Sequence, residues 1–346
     1  HRTPVMSSGF VDKLLGCSVL FKCENLQKVG AFKARGAINA VLSLPASVHT
    51  VITHSSGNHG AALAWAASQV NKKSLIIVPV DAKPIKKSAI RSYGGVIIDC
   101  GPAITDREKK LSEVLRETDA HFVPPYDDPD IICGQGTAAL ELQEDYPEIE
   151  ELWVPIGGGG LAAGSALLDI QGNGPTVVCA EPSLARDAYD SLRTGEIQPA
   201  LPPKTIADGL RTSLGRLNFE VLRSLNIHIE LVHEEAILSA MSLIWSRMKL
   251  VVEPSAAVPL AGLLAKGTDA LAVGELLADL QGLADEIQRP LQPTHLGIDE
   301  AQVDEITRLR ASQPDTAENL QRAFEVFFSS LQLPPLEAVS YTHLTL

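Results

Sequence analysis

Leu152-Trp-Val-Pro-Ile-Gly-Gly-Gly-Gly-Leu161 places four consecutive glycines between an apolar, strand-like run and a segment with helical periodicity. The glycines are Gly157, Gly158, Gly159 and Gly160. A strand that turns into a helix in this way leaves unpaired backbone N–H groups at the helix start, where the helix dipole attracts an anion. Glycine lets the backbone approach a phosphate closely because no Cβ intervenes. The stretch predicts a phosphate site, and a tight turn without a ligand is the simpler alternative.

The alternation of strand and helix continues outward from this stretch through most of the chain. Short apolar runs predict strands at Val19–Cys23, Thr50–Thr53, Ser74–Val80, Gly95–Asp99, Glu151–Pro155, Thr176–Glu181 and Ile227–Val232. Helical periodicity lies between them at Ala34–Leu44, Ala61–Val70, Thr105–Thr118, Thr137–Leu142 and Leu161–Ile170. Near-continuous apolar strands separated by helices are typical of parallel sheets that are covered on both faces. The sequence therefore predicts an α/β fold.

Two turn-rich segments divide this pattern. Ser43–Val48 and the Pro- and Asp-rich segment 124–129 bracket a stretch that predicts a smaller inserted unit. We therefore expect a small domain of residues 46–129 and a large domain of residues 1–45 and 130–270. In the remaining segment, 271–346, amphipathic patterns predict helices and no further strand.

Composition excludes several classes of function. The chain has 346 residues and a formal net charge of −13, with 45% apolar and 21% charged side chains, which is typical of a globular protein. The acidic balance, without a dense basic stripe, argues against a nucleic-acid partner. No run approaches the roughly 20 apolar residues that span a bilayer, and no secretory leader pattern is visible, so we expect a cytoplasmic protein with no membrane partner.

A second strand-to-helix junction is polar rather than glycine-rich. It reads Ser55, Ser56, Gly57, Asn58, His59 and Gly60, after the apolar run Val51–Thr53. Hydroxyl groups and backbone N–H groups at a helix start can hold a carboxylate. A simple Ser or Asn helix cap is the alternative, and it accounts for one or two of these residues only.

Lys33 lies among small and apolar residues at a predicted helix start, in Gly30-Ala-Phe-Lys-Ala-Arg-Gly-Ala37. A lysine desolvated there has a lowered pKa because burial and the helix dipole both disfavour the cation. A neutral amine is what attack on a carbonyl requires. The alternative is a surface lysine whose aliphatic stem lies along the helix, and spacing alone does not decide between the two.

The glycine stretch also permits a dinucleotide site. Gly157, Gly159 and Ala162 match G-x-G-x-x-A, and Glu181 ends the next predicted strand, where a ribose-binding acid would lie. An oxidoreductase that binds a dinucleotide is therefore a rival interpretation, although it leaves Lys33 and the Ser55–Gly60 junction unexplained.

Taken together, these stretches resemble the fold-type II pyridoxal phosphate (PLP) enzymes, specifically the serine racemase and serine/threonine dehydratase family. The matching motifs run in the family's order over about three quarters of the chain. They are His1–Val5, Lys28–Arg35, His54–Gly60, Cys133–Thr137, Pro155–Gly160, Ala180–Ser183, Thr205–Gly209 and Arg247–Pro254. The resemblance implies a tryptophan synthase β-like fold, in which two domains each contain a mostly parallel sheet flanked by helices.

The resemblance also implies roles for individual residues. Lys33 would form the internal aldimine with PLP, and Gly157–Gly160 would hold its phosphate. Phe32, Asn58, Gly209 and Glu253 match positions around the cofactor ring, and Ser55, Ser56, Gly57, Asn58 and His59 match the loop that binds the substrate carboxylate. Ser56 matches the hydroxyl that serves serine racemases as the acid/base opposite the lysine.

The family's activity follows from the same resemblance. It implies racemisation, β-elimination with deamination, or both, of amino acids such as serine and threonine. Glu181, the Ala185 carbonyl and Asp187 match a site for Mg²⁺ or Ca²⁺, with oxygen ligands that suit either ion. Two solvated carboxylates are the alternative to that metal site. The resemblance also implies a homodimer.

The resemblance stops at about Lys266. The family ends its sheet with an apolar strand and an S-G-G-N-type turn that contacts the pyridine nitrogen, and the sequence after Lys266 contains neither. A missing central strand exposes backbone donors and apolar surface. A catalytically impaired or chimeric member of the family is therefore the second alternative to an active enzyme.

Overall fold

A computed structural model of the chain describes residues 1–200 and 204–267. The segment 271–346, for which the sequence predicts helices and no strand, lies outside the described residues. None of the helices in the described ranges is long and apolar enough to cross a bilayer.

Short strands and helices alternate along the described part of the chain. The strands are β1 (Val5–Ser7), β2 (Leu20–Lys22), β3 (Thr50–His54), β4 (Lys73–Pro79), β5 (Val96–Cys100), β6 (His121–Phe122), β7 (Glu151–Pro155), β8 (Thr176–Pro182) and β9 (His228–Val232). The helices are α1 (Gly9–Leu15), α2 (Lys33–Ser43), α3 (Asn58–Gln69), α4 (Pro84–Ser92), α5 (Ile104–Glu117), α6 (Pro129–Asp145), α7 (Gly160–Ala166), α8 (Asp187–Thr194), α9 (Arg216–Ser224), α10 (Glu234–Leu243) and α11 (Pro254–Gly267).

A parallel sheet with the strand order β5-β4-β3-β6 occupies the segment between α2 and α6. Alternate residues of β4 face opposite sides, as the two-residue period of a strand requires. Ile76 and Val78 pack with the alanine-rich helix α3, and Leu75 and Ile77 pack with Leu111 of α5. This sheet is therefore buried on both faces, which explains its continuous apolar strands.

A second parallel sheet, β7-β8-β9, follows α6 in the chain. Val177 and Cys179 of β8 pack with α7 and α9 on one face. Ala180 packs with α10 and α11 on the other face. β1 and β2 form a separate antiparallel pair.

All seven predicted strands are present, and each of their ends lies within one residue of its expected position. β1 and β6 were not expected, because two or three residues are too short to show an alternating pattern. The helix expected at Thr137–Leu142 is longer: α6 begins at Pro129, after the Asp128 side chain accepts the backbone N–H groups of Asp130 and Ile131.

Helix α6 is packed between α2 and α7, and the two glycines of the motif Cys133–Thr137 allow the close contacts. A Cβ on Gly134 would lie 2.6 Å from the Cα of Gly36 in α2. A Cβ on Gly136 would lie 2.6 Å from the carbonyl oxygen of Gly164 in α7. Only glycine permits such close helix contacts. Since α2 begins at Lys33 and α7 begins at the end of the glycine stretch, α6 sets the positions of both.

Candidate active site

Lys33 is the first residue of α2 and is half-buried. Its Nζ donates a hydrogen bond to the carbonyl oxygen of Pro125 at 2.7 Å. The ring centroids of Phe32 and Tyr126 lie 5.2 Å and 6.0 Å from Nζ. Burial lowers the pKa of Lys33 from 10.5 to about 8 because the surrounding protein solvates the cation poorly.

The four glycines after β7 are packed against their neighbours. A Cβ on Gly157 would lie 2.9 Å from the Leu210 Cα, and one on Gly158 would lie 2.4 Å from the Tyr126 ring. Gly159 has a φ of 91° and begins α7 as its N-cap, and Gly160 lies under the Tyr126 carbonyl. A side chain at Gly158 or Gly160 would displace the segment around Tyr126, and one at Gly157 or Gly159 would displace Leu210 or Leu214.

The same loop presents free backbone donors. Among the described residues, no acceptor is found for the N–H groups of Gly157, Gly158 and Gly159. Buried backbone N–H groups are nearly always paired in folded proteins. An anion at this loop would satisfy them.

The polar junction Ser55–His59 lies between β3 and α3. Ser55 Oγ accepts the Gly57 N–H at 3.3 Å, whereas Ser56 Oγ has no partner among the described residues. Asn58 Nδ2 donates to Glu253 Oε2 at 3.0 Å. This bond joins the start of α3 to the residue before α11, so elements that belong to different sheets meet at the site.

His59 is only 2% exposed, and its Nε2 lies 3.3 Å from the Val123 carbonyl oxygen. Burial and, to a smaller extent, the charge of Lys33 lower the pKa of His59 to about 3. His59 is therefore neutral at physiological pH. If Nε2 carries the proton that the Val123 carbonyl accepts, Nδ1 is an acceptor, and Nδ1 is buried without a partner among the described residues.

The turn at 205–210 forms another side of the site. The Gly209 N–H donates to Ser255 Oγ at 3.0 Å, and a Cβ on Gly209 would lie 2.9 Å from that oxygen. Its neighbour Asp208 pairs with Lys86 of α4 at 2.7 Å. The turn is thus held by α11 on one side and by α4 on the other.

The predicted metal ligands are partly engaged by the protein itself. Glu181 is fully buried and accepts the N–H groups of Ala188 and Tyr189 at 2.9 Å and 2.8 Å. Burial raises the pKa of Glu181 to about 8 although these two N–H groups lower it. Asp187 accepts the Leu214 N–H at 2.9 Å, and Ala185 is buried nearby in the chain. Within the described ranges no group of three or more His, Cys, Asp or Glu side chains could hold a metal ion, so the two-carboxylate site stays a prediction.

Several site residues had no role assigned from the sequence. Pro125 contributes only a backbone oxygen, and Tyr126 contributes a ring that packs on Gly158. Asn218 of α9 is fully buried and donates to the Gly158 carbonyl. A backbone acceptor leaves no mark in a sequence, and a buried Asn inside a helical pattern resembles any other helix residue. The Pro- and Asp-rich run Pro124-Pro-Tyr-Asp127 was the one available signal.

This arrangement fits a ligand that carries both an aldehyde and a phosphate. The Lys33 amine, with its lowered pKa, suits the aldehyde, and the unpaired N–H groups of Gly157–Gly159 suit the phosphate. Both groups adjoin Tyr126, whose ring lies next to Gly158 and near Lys33 Nζ. The fold and site therefore define the class of enzymes that bind PLP through a lysine.

Comparison with known proteins leads to the same class of enzyme. The model of the pyridoxal-phosphate dependent enzyme family matches residues 1–275, and the chain belongs to this family. Serine racemase of Mus musculus is 43% identical over 274 residues, which cover 77% of this chain and 80% of the racemase. Beta-hydroxyaspartate dehydratase of Paracoccus denitrificans is 42% identical over 267 residues, 76% of this chain and 85% of the dehydratase. The crystal structure of T.th. threonine deaminase superposes with a TM-score of 0.74 at 42% identity, covering 77% of this chain and 88% of the deaminase.

These findings confirm the expected fold-type II α/β architecture and the PLP enzyme class. The rival interpretation, a dinucleotide oxidoreductase, is wrong. Glu181, its ribose-binding acid, is 0% exposed and accepts two backbone N–H groups of α8, so it is not available to the hydroxyl groups of a ribose. The G-x-G-x-x-A match arises because tight packing of the loop requires glycine at Gly157 and Gly159.

Proposed function

We propose that the chain racemises β-hydroxy amino acids of the serine and threonine type, or removes water across their Cα–Cβ bond so that hydrolysis of the resulting enamine releases an oxo acid and ammonia, with PLP held by Lys33. The support is the lowered pKa of Lys33 and its position beside the glycine loop. The similar proteins are named as a serine racemase, a hydroxyaspartate dehydratase and a threonine deaminase, and all three names describe reactions at a β-hydroxy amino acid or its product.

Lys33 is the base in this proposal. Bound PLP supplies an electron sink that acidifies the α-carbon of an attached amino acid. Once the amine of the substrate has replaced it on the cofactor, Lys33 Nζ would be free to take up the α-proton, because an amine with a pKa of about 8 is neutral often enough near pH 7 to accept it. The Pro125 carbonyl accepts a hydrogen bond from Nζ and so fixes the direction of the amine.

Ser56 decides the fate of the substrate. Its Oγ, which has no partner among the described residues, donates a proton to the α-carbon on the face opposite Lys33, and the result is inversion. If the β-hydroxyl first takes up a proton and leaves as water, the resulting enamine hydrolyses to an oxo acid and ammonia. The ratio of the two outcomes depends on how readily Ser56 delivers its proton.

The polar junction binds the substrate carboxylate in this proposal. Ser55, Ser56, Gly57, Asn58 and His59 lie at the start of α3, where N–H groups attract an anion. Neutral His59 contributes no positive charge, so hydroxyl and N–H donors carry the recognition. Asn58, which donates to Glu253, would contact the cofactor ring together with Phe32 and Gly209, as the resemblance implies.

Two finer assignments rest on the resemblance. We propose that Glu181, Asp187 and the Ala185 carbonyl hold Mg²⁺ or Ca²⁺, because a cation would compensate two buried carboxylates. A rise in melting temperature on adding either ion, lost in Asp187→Asn, tests this. We also propose a homodimer in the cytoplasm, and sedimentation of the purified protein tests the dimer.

The observation that carries the proposal is the desolvated Lys33 amine. Its test is the visible absorption spectrum of purified protein with PLP, before and after L-serine and L-threonine. We expect a Schiff-base band that is absent in Lys33→Ala and present in Lys28→Ala, because Lys28 is an exposed lysine five positions earlier. Release of D-serine or of an oxo acid should accompany a shift of this band.

The same experiment addresses the alternative of an impaired or chimeric chain, which concerns residues outside the described ranges. A Schiff-base band without turnover would support that alternative. Full activity in Lys33→Ala would overturn the proposed role of the lysine.

A further inference from the structure

Asn218 has a set of contacts that its own helix does not need. It is the third residue of α9 and is 0% exposed. Its Nδ2 donates to the carbonyl oxygens of Gly158 at 2.7 Å and Tyr126 at 3.2 Å. The start of α9 is already capped, since Asp127 accepts the N–H groups of Arg216 and Leu217.

The orientation of the Asn218 amide is fixed by these acceptors. The opposite orientation would place Oδ1 against two carbonyl oxygens, which cannot donate. As it stands, Oδ1 is buried and has no partner among the described residues. A buried, unpaired acceptor is unfavourable. The stability of α9 therefore does not explain why an asparagine is buried here, whereas the two hydrogen bonds that Asn218 donates connect it to the glycine loop and to Tyr126.

The bond to Gly158 controls the direction of a peptide group in the glycine loop. The Gly158 carbonyl also accepts the Gly215 N–H at 3.1 Å, so two donors hold it. In a trans peptide the C=O and the following N–H point in opposite directions. Holding the Gly158 carbonyl toward α9 therefore turns the Gly159 N–H away from α9, and this N–H has no acceptor among the described residues.

The bond to Tyr126 connects the loop to the segment that holds the amine. The carbonyl of Pro125, the preceding residue, accepts the hydrogen bond from Lys33 Nζ. Asn218 thus joins the peptide beside the phosphate loop to the peptide beside the reactive lysine. Both attachments go through backbone oxygens, so Asn218 acts through other residues and touches neither reacting group.

We propose that Asn218 is a positioning residue that sets the affinity for the phosphate group of PLP by fixing the Gly158–Gly159 peptide. The inference rests on the proposed role of Gly157–Gly160 as the phosphate loop. It adds a residue outside that loop on which phosphate recognition depends.

The test compares two ligands that differ in the phosphate. Dissociation constants of PLP and of pyridoxal, which lacks the phosphate, are measured by absorbance for the wild type, Asn218→Ala and Asn218→Asp. Loss of the two neutral hydrogen bonds should weaken PLP binding about tenfold in Asn218→Ala and weaken pyridoxal binding much less. Asn218→Asp keeps the volume of the side chain but cannot donate when ionised, so it should lose more. The ³¹P resonance of bound PLP should shift in both variants.

Asn39→Ala is the matched control. Asn39 Nδ2 also donates to a backbone carbonyl, that of Asp130 at 2.7 Å, but between α2 and α6 and away from the loop. It should bind both ligands as the wild type does. Thermal unfolding of each apo-protein identifies variants that fail to fold. If Asn218→Ala fails to fold, the comparison of PLP with pyridoxal is made on Asn218→Asp instead.

Each outcome decides one question. A folded Asn218→Ala or Asn218→Asp protein that keeps the wild-type preference for PLP over pyridoxal, with an unchanged ³¹P shift, would overturn the inference. Equal weakening of PLP and pyridoxal would overturn it as well, because the effect would then not pass through the phosphate. A wild type that itself shows no preference for PLP would instead contradict the proposed phosphate loop.

Discussion

Two strand-to-helix junctions form the site, and they achieve recognition by different means. At 157–160 the chain has glycines only, packed so closely that added Cβ atoms would lie 2.4 to 3.0 Å from neighbouring atoms. At Ser55–His59 the chain has polar side chains, and a Cβ on Gly57 would meet nothing within 4 Å. The first junction offers backbone N–H groups and the second offers side chains such as the Ser56 hydroxyl, which has no partner within the described ranges.

The difference teaches what each junction can tolerate. A loop that binds through its backbone depends on its path, so any substitution that moves the chain alters recognition. A loop that binds through side chains can change its chemistry while its path stays the same. Substitutions in the first junction should therefore affect cofactor binding and stability together, and substitutions in the second should affect the reaction alone.

The largest expected effect is that of Gly158→Ala. The new Cβ would lie 2.4 Å from the Tyr126 ring, near the ring's attachment to the chain, so the segment 124–127 must move. Overpacking of this kind costs about 1–3 kcal/mol of stability, and we expect no measurable PLP binding. Denaturant unfolding and a PLP titration measure the two effects. Gly57→Ala is the control, since it has room for a methyl group and should bind PLP normally. Equal tolerance of both substitutions would abolish the distinction between the junctions.

Ser56→Ala tests the side-chain junction. Removal of an acid/base group lowers a rate by about 10²- to 10⁴-fold, and we expect a loss of this size in the racemisation of L-serine. Elimination should persist, because Lys33 still removes the α-proton, and the unfolding free energy should change little. Chiral chromatography and an oxo-acid assay on the same samples give the ratio of the two products. A parallel decline of both reactions would show that Ser56 acts in binding and not in proton transfer.

The sequence predicted the sheets because their strands are buried on both faces and therefore leave continuous apolar runs, such as β4 and β8. It also brought Lys33 and both junctions to notice, since glycine and serine clusters at helix starts are uncommon enough to mark a site. The tertiary contacts were not predictable. Asn218 and Pro125 act on partners 60 and 92 positions away in the chain, through backbone oxygens that carry no sequence signal.

The short elements and helix contacts show the same limit at a finer scale. β1 and β6 escaped prediction because they are short, and the close approach of α2 and α6 depends on Gly36 facing Gly134, a pairing that becomes visible only in the fold. The motif Cys133–Thr137 was recognised by its resemblance alone, and its physical role is helix packing. Motifs thus identified the family, whereas the contacts explain why the motifs contain these residues.

The protonation of Lys33 should change the free energy of unfolding with pH, and this effect is intermediate in size. Its pKa is about 8 in the folded apo-protein and 10.5 when unperturbed, so between these values the unfolded chain binds more protons than the folded chain. The free energy of unfolding therefore rises with pH in this window. From about pH 8 to pH 10 the wild type should gain about 2 kcal/mol relative to Lys33→Met. The free energies of unfolding are measured with urea at each pH. If those of the wild type and Lys33→Met change in parallel with pH, burial does not perturb the pKa of this amine.

The smallest expected effect concerns the ion pair between Lys86 and Asp208, which links α4, beyond the polar junction, to the turn that contains Gly209. Both side chains are more than a third exposed, and such pairs contribute about 0–1 kcal/mol. Lys86→Ala should leave stability nearly unchanged but should loosen the link between the two sides of the site, raising KM for serine about two- to fivefold with little change in kcat. Since exposed pairs are screened by salt, high ionic strength should raise KM of the wild type toward that of the variant. Lys87→Ala is the control, because Lys87 pairs with Asp99 of the neighbouring strand β5 rather than with the turn. An equal change in KM for both variants would mean that the charge of α4, and not its attachment to the turn at Asp208, influences the substrate.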